Sequence, residues 1–243
     1  MKRSLLLVAA ALMLLSCRQE VAPNPVIPMT AITGRPQRAD VERLLCQYHD
    51  VGIEQFLIYP RSGLEIEYMS DEWMRFCRNC LEVADSLGMK VWLYDEYNWP
   101  SGSCKGAVTA GGHEDCYPKV LMFDNDGTGT YTTRVATNAI GADILNPEAV
   151  SRFIALTHER YYEEFADYFG RVIPAVFTDE PSFCYSMHAP SGMLEANFTH
   201  FDNDHFALTW YPGLEEEYAA ACGRDLHEDV VAYLHGEPSG ELW

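Results

Sequence analysis

An Asp-Glu pair stands at two points of the sequence where a short apolar run ends. The pairs are Asp95 with Glu96, and Asp179 with Glu180. Paired carboxyl groups can do general acid–base chemistry, and hydrolysis of a glycosidic bond ordinarily uses two of them. Trp99 follows the first pair closely, and aromatic rings stack on the apolar faces of sugar rings. The two clusters therefore predict a sugar site with acid–base chemistry.

One residue of each pair is expected to point into that site, because successive residues of a strand face opposite ways. We assign Glu180 as the catalytic residue, since its longer side chain can reach a glycosidic oxygen. Asp179 is then expected to bind a hydroxyl or to orient Glu180. Alternatively, the sequence Asp179-Glu180-Pro181 only forms a helix cap and a turn.

The other substrate-binding residues are assigned by chemical type. Carboxylates and guanidinium groups bind hydroxyls, and aromatic rings stack. The assigned residues are Asp95, Glu96 and Arg61 for hydroxyls, with Tyr94 and Trp99 for stacking. A surface salt bridge for Arg61 and loop packing for Trp99 are the structural alternatives.

Strands and helices alternate along the chain. Strands are predicted at 26–32, 55–59, 90–94 and 173–178, and helices at 40–52, 70–88, 146–170 and 214–233. Segments 119–123 and 130–135 are predicted to form a separate inserted β-hairpin. The alternation favours an α/β fold of the (β/α)8 TIM-barrel type with about its first four βα units present. A doubly wound sheet is the competing topology, but no glycine-rich phosphate loop follows any strand.

In a TIM barrel the active site lies at the C-terminal ends of the strands. Residues 59–61, 94–100 and 178–181 occupy three of these predicted ends. The acidic and aromatic clusters are therefore expected at one rim of the barrel.

The N-terminus resembles the signal peptide of a bacterial lipoprotein. A basic start and the apolar run 5–15 lead into Ser16 and Cys17, the position that receives lipid. We predict a lipoprotein signal peptide at 1–17, a tether at 18–30 and a partial barrel domain at 31–243. Export to the outer membrane, on its periplasmic or cell-surface face, is expected; an ordinary secretory signal with an incidental Cys is the alternative.

The net charge of the chain limits which partners it can bind. The 243 residues carry a formal net charge of -19, which repels phosphates and anionic head groups. We therefore expect an oligosaccharide or glycoside substrate, no nucleic acid, and membrane attachment only through the lipid on Cys17.

The cysteines and acidic turns predict no metal site. Cys77 and Cys80 are expected to be buried helix thiols, and Cys104 could pair with Cys116, since export permits disulfides. The turn 202–204 lacks the Gly and Glu of a calcium loop and is expected to be solvated.

Three segments resemble bacterial α-L-rhamnosidases of glycoside hydrolase family 106 and their uncharacterised relatives. They are GIEQFLIYPRSGL at 52–64, GMKVWLYDEYNWPSG at 88–102 and FTDEP at 177–181. Their order and spacing match too, as does Tyr161-Tyr162-Glu163, so that the resemblance covers about 40–234.

The resemblance implies a TIM-barrel domain of a longer chain, followed by β-sandwich modules. It also implies an inverting mechanism with two glutamates, of which Glu180 is the general acid and the second lies beyond Trp243. Family members often use calcium, for which the sequence suggests no particular ligands. The first strand departs from the family, because 29–33 reads MTAIT where relatives carry a Trp-rich strand end.

The expected function is cleavage of a glycosidic bond in plant or host glycans. Because half the barrel and one carboxylate are missing, we expect no hydrolysis by the isolated chain. One alternative is a non-catalytic surface lipoprotein that binds glycans. Another is an inactive truncated remnant, since a half barrel exposes strand edges.

Overall fold

The computed structural model describes residues 23–138, 141–182 and 205–237, which fall into two compact units. Of these described residues, 23–94 and 165–176 belong to the first unit, and the remainder belong to the second. Within the described ranges, no helix has the length and apolarity needed to cross a bilayer. Cys17, the predicted lipidation site, lies outside these ranges.

Strands and helices both occur along the whole described part of the chain. In chain order they are β1 (Met29–Gly34), α1 (Arg38–Asp50), β2 (Gln55–Leu64), α2 (Asp71–Ser86), β3 (Lys90–Tyr94), β4 (Lys119–Asn125), β5 (Tyr131–Thr137), α3 (Pro147–Ile154), α4 (Arg160–Phe165), β6 (Val176–Phe177), β7 (His205–Trp210), α5 (Leu214–Cys222) and α6 (Leu226–Leu234).

Strands β1, β2 and β3 of the first unit are parallel, and α1 and α2 connect them. Met29 lies opposite Leu57, and Gln55 lies opposite Lys90. Strand β1 starts and ends later than the predicted 26–32, and β2 continues past Pro60. The predicted alternation of strands and helices is confirmed in this unit.

Helix α2 shows how the sequence sets these elements. Ser70 caps its start by accepting a hydrogen bond from the Trp73 amide, and Gly88 follows its end with φ of +71°. Its inner face buries Cys77 and Cys80, and burial raises the pKa of both thiols. The prediction of buried helix thiols is confirmed.

A fourth strand, β6, completes a parallel sheet in the order β1-β2-β3-β6. Its pairing starts before the strand itself, since the Leu93 amide donates to the Ala175 carbonyl at 3.3 Å. The strand is shorter than the predicted 173–178 because Pro174 has no amide hydrogen to pair.

The second unit contains an antiparallel sheet in the order β5-β4-β7. The predicted hairpin is confirmed as β4 and β5, separate from the parallel sheet, whereas the third strand β7 was not predicted. Leu121 and Phe123 of β4 form a buried cluster with Leu226 and Val230 of α6.

The prediction of one helix over 214–233 is wrong, because the segment forms α5 and α6. Gly223, with φ of +68°, ends α5 in the left-handed conformation. The Asp225 side chain then accepts hydrogen bonds from the His227 and Glu228 amides and starts α6.

The helix predicted over 146–170 is interrupted. Asn146 caps α3 at the predicted start of the helix, but a π-helical turn at Ala155–Glu159 separates α3 from α4. Such turns shift the side chains that come after them and are frequent at functional sites.

Cys104 and Cys116, which we considered as a disulfide pair, are both free and buried. The Cys104 amide donates to the Glu96 side chain at 2.8 Å, which fixes this residue in the loop after β3. Burial raises the pKa of the Cys104 thiol to about 12.

Candidate active site

Five of the predicted site residues belong to the second unit, where they follow β3 and β6. They are Asp95, Glu96, Trp99, Asp179 and Glu180. The two strands that precede them are neighbours in the parallel sheet. The structure thus groups these residues at the strand ends that the alternation predicted.

Glu180 exposes its carboxylate, and the indole of Trp99 donates to its Oε2 at 3.1 Å. Its backbone has φ of +43°, a left-handed conformation that costs free energy for any residue with a Cβ. Such a conformation persists only where the surrounding structure holds it in place. Glu180 is therefore a strained, accessible acid beside an aromatic ring.

Hydrogen bonds on both sides of Asp179 hold this segment. The Ser101 amide donates to the Asp179 carbonyl at 2.8 Å, and the Asp179 amide donates to Ser101 Oγ at 2.8 Å. Ser101 is fully buried. The loop after β3 therefore fixes the backbone that precedes Glu180.

Asp95 lies beneath this contact and is 0% exposed. Its carboxylate accepts one hydrogen bond from Ser101 Oγ and one from Thr178 Oγ1, each at 2.6 Å. Hydroxyl groups of the protein thus take the places that we expected sugar hydroxyls to take. Asp95 joins the two loops.

His158 also faces Asp95, with its Nε2 lying 3.4 Å from Oδ2. Thr157 Oγ1 lies 2.9 Å from His158 Nδ1 and donates its hydrogen to the Phe153 carbonyl at 2.6 Å. Both residues lie on the π-helical turn.

Sequence reasoning missed His158, Ser101 and Thr178 as parts of this site. One signal for His158 was present, because it follows Ile154 by four positions and thus interrupts the apolar face of the helix. Nothing in the sequence marks Ser101 or Thr178, since short hydroxyl side chains are common in loops.

Glu96 is 1% exposed and organises the loop that comes after it. Oε1 accepts from the amides of Tyr97 and Lys105, and Oε2 accepts from the amides of Ser103 and Cys104. Burial raises the pKa of Glu96, and these hydrogen bonds oppose the rise. Its partners are these backbone amides and the Ser103 hydroxyl, not the sugar hydroxyls that we expected.

The first unit holds the other two predicted residues. Tyr94 is 1% exposed, with its ring centroid 4.6 Å from that of Tyr59, so that burial argues against a stacking role. Arg61 packs its guanidinium 4.9 Å from the centre of the Tyr59 ring and donates to the Tyr59 hydroxyl. Arg61 is half-buried, and its predicted role in binding a hydroxyl stays a prediction.

Calcium, which the resemblance implies, finds no fitting ligands among residues 23–138, 141–182 and 205–237. The one potential metal-binding group there is His113, Asp115 and Cys116, whose donor atoms lie within 4.8 Å of one another. Imidazole and thiol donors suit softer metals, whereas calcium takes oxygen ligands. The predicted solvated turn at 202–204 lies outside the described residues.

No protein-family model, curated protein or solved structure matches this chain. The resemblance to α-L-rhamnosidases therefore depends only on the segments at 52–64, 88–102, 161–163 and 177–181 and on their order. A function for the chain has to be inferred from the local arrangement around Glu180.

Proposed function

We propose that the chain carries part of a glycoside hydrolase of the α-L-rhamnosidase-like type, with Glu180 as general acid. The observation that carries the proposal is the exposed Glu180 carboxylate on a left-handed backbone, bonded to the Trp99 indole. Strain of this kind clusters at active sites, where a side chain must be held in one direction.

We also propose that the parallel sheet is the first part of a TIM barrel. Its strands are adjacent in the order in which they occur along the chain, β1-β2-β3-β6. A doubly wound sheet instead reverses its strand order at a switch point. The sequential order supports the barrel over its competitor.

In the proposed reaction, Glu180 gives its proton to the glycosidic oxygen while the bond from that oxygen to the anomeric carbon breaks. A water molecule attacks the anomeric carbon from the opposite face and loses its proton to a second carboxylate. The resemblance places that second glutamate outside this chain. Trp99 donates to Oε2 and so leaves Oε1 to carry the transferred proton.

Asp95, Ser101 and Thr178 have a positioning role in this proposal. Their hydrogen bonds tie the loop after β3 to the residues that precede Glu180. A catalytic group must be held within a fraction of an ångström, which hydrogen bonds to the buried Asp95 and Ser101 help to achieve.

Export and lipid attachment at Cys17 are part of the proposal. A lipid anchor would put the domain where extracellular glycans are met, and the net charge of -19 suits a neutral sugar more than a phosphate-bearing partner.

Glycan binding without cleavage is the second candidate function. Trp99 is 43% exposed next to a carboxylate, and an exposed ring beside a hydrogen-bonding group suits sugar recognition by itself. This function would need the ring and not the acid.

The test compares Glu180→Gln with the unchanged protein, at the length that its native cells produce. We expect hydrolysis of an aryl α-L-rhamnoside to be lost and binding of the rhamnoside to be kept. Hydrolysis that survives the substitution would exclude Glu180 as the acid. Binding without any hydrolysis by the unchanged protein would favour the second candidate, and the absence of both would contradict each of them.

The same assay on the 243-residue chain checks the expected inactivity of this segment alone. Turnover by the isolated chain would show that the second carboxylate is not needed or lies within it.

A further inference from the structure

A cavity of about 440 Å³ lies in the second unit, within the size range of small-molecule sites. Val150, Phe153 and Ile154 of α3 form its apolar wall, and the polar residues of its lining are Ser101, Asp143, His158 and Thr178. The cavity therefore offers mostly hydrocarbon contact, with few hydrogen-bonding positions.

The cavity adjoins the residue that we propose as the acid. Thr178 and Pro181 both line it, and Glu180 lies between them in the sequence. A general acid delivers its proton to the oxygen of the leaving group. The leaving group must therefore lie next to Glu180, which is where the cavity lies.

We propose that this cavity binds an aromatic, largely apolar aglycone as the leaving group of the glycoside. The identity of the occupant as a leaving group rests on the proposed function. A second sugar would set several hydroxyls against Val150, Phe153 and Ile154, and unpaired buried hydroxyls are costly. An aromatic ring has no hydrogen bonds to lose when it is buried there.

The geometry of the wall fits a planar ring with one polar substituent. The Phe153 ring already contacts the His158 imidazole edge-on, with centroids 5.6 Å apart. Edge-to-face contacts of this kind are favourable between aromatic rings. That substituent is the phenolic oxygen, which in the glycoside is the glycosidic oxygen that Glu180 protonates.

The test measures binding of para-nitrophenol to the full chain by equilibrium dialysis, without any requirement for hydrolysis. Ile154→Glu places a carboxylate in the apolar wall and is expected to weaken binding by about tenfold or more. Val135→Glu is the matched control, because Ile154 is 41% exposed and Val135 is 47% exposed, yet Val135 does not line the cavity. It should bind as the unchanged chain does.

Free L-rhamnose is the second probe, and it should not displace para-nitrophenol. Displacement by rhamnose would make the cavity a sugar subsite and overturn the proposal, as would the absence of saturable binding or an equal loss in both variants. If Ile154→Glu does not fold, amide shift changes in the unchanged chain decide, since para-nitrophenol should perturb Val150 and Ile154 and leave β5 unaffected.

The two proposals fail separately. Loss of para-nitrophenol binding would leave the result on Glu180→Gln untouched, because the phenol carries no glycosidic bond. Conversely, a hydrolase whose acid is another residue could still show saturable binding in this cavity.

Discussion

Two neighbouring strands of the parallel sheet each lead into an Asp-Glu pair, and the two pairs meet opposite environments. Asp95 and Glu96 are 0% and 1% exposed and are satisfied by hydroxyl and amide groups of the protein. Glu180 is exposed, on a left-handed backbone, with a Trp99 hydrogen bond at its carboxylate.

The loop that follows the first pair accounts for the burial of Glu96. After Glu96 the loop turns back and offers four amide hydrogens, the first of them from Tyr97. After Glu180 comes Pro181, which has no amide hydrogen to offer. The same two-residue signature thus gives a buried organiser in one loop and an accessible acid in the other.

Glu96→Gln is expected to give the largest change in stability. The side-chain NH2 group of the glutamine would face backbone N–H groups that now donate to the Glu96 carboxylate. Because donors then face donors, the free energy of unfolding should fall by about 3 kcal/mol. Urea unfolding of the full chain measures this loss. Glu163→Gln, at an exposed helix position, is the control and should change little; equal effects would remove the contrast between the two pairs.

Ser101→Ala removes the hydroxyl that joins the two loops and should cost about 2 kcal/mol, since it removes the hydrogen bond from the Asp179 amide and one of the two hydroxyl donors to the buried Asp95 carboxylate. The exposed Ser151 of α3 supplies the control, Ser151→Ala. If Ser101→Ala lowers the unfolding free energy no more than Ser151→Ala does, the two loops are held together by other contacts.

The stability contributed by Glu96 should depend on pH. Because the folded-state pKa is raised, this contribution is complete below the ordinary value of 4.5 and is lost as the pH rises through the folded pKa. The unfolding free energy of the unchanged chain minus that of Glu96→Gln should therefore shrink with rising pH, by about 1.4 kcal/mol for each unit of pKa shift. Urea unfolding from pH 4 to 7, a range of about 3 units, measures it; a difference that grows with pH would contradict the sign.

Glu180→Gly should have the smallest effect and the opposite sign. Glycine adopts the left-handed conformation without a Cβ clash, so that the substitution should raise the unfolding free energy by about 0.5 kcal/mol. Thermal unfolding compares it with Glu163→Gly, which should destabilise the helix by about 1 kcal/mol. Because Glu180→Gly also removes the hydrogen bond from Trp99, a loss as large as that of Glu163→Gly is the result that would contradict backbone strain at Glu180.

Local signals predicted most of the first unit. Ser70 and Gly88 mark the ends of α2, and the short runs before Arg61 and Asp95 are buried strands as expected. These signals act within a few residues, so that the local sequence is sufficient to predict where these helices and strands lie.

The structure differs from the sequence prediction where distant residues decide it, and where a helix stop lies within a continuous apolar pattern. Gly223 and Asp225 carry an ordinary helix stop and start, which the apolar pattern of 214–233 hid. The burial of Asp95 depends on Thr178 and His158, whose approach no spacing in the sequence reveals. Its role could be found only with the fold in hand.

Strand β7 gives the inserted hairpin a consequence for engineering. Met122 of β4 pairs with Ala207 of β7, a residue far along the chain, while Phe206 and Leu208 pack on the cluster beneath. Cutting out 119–137 would therefore strip the later helices of the surface on which they fold. The hairpin and the segment 205–237 should therefore be transplanted, deleted or expressed together.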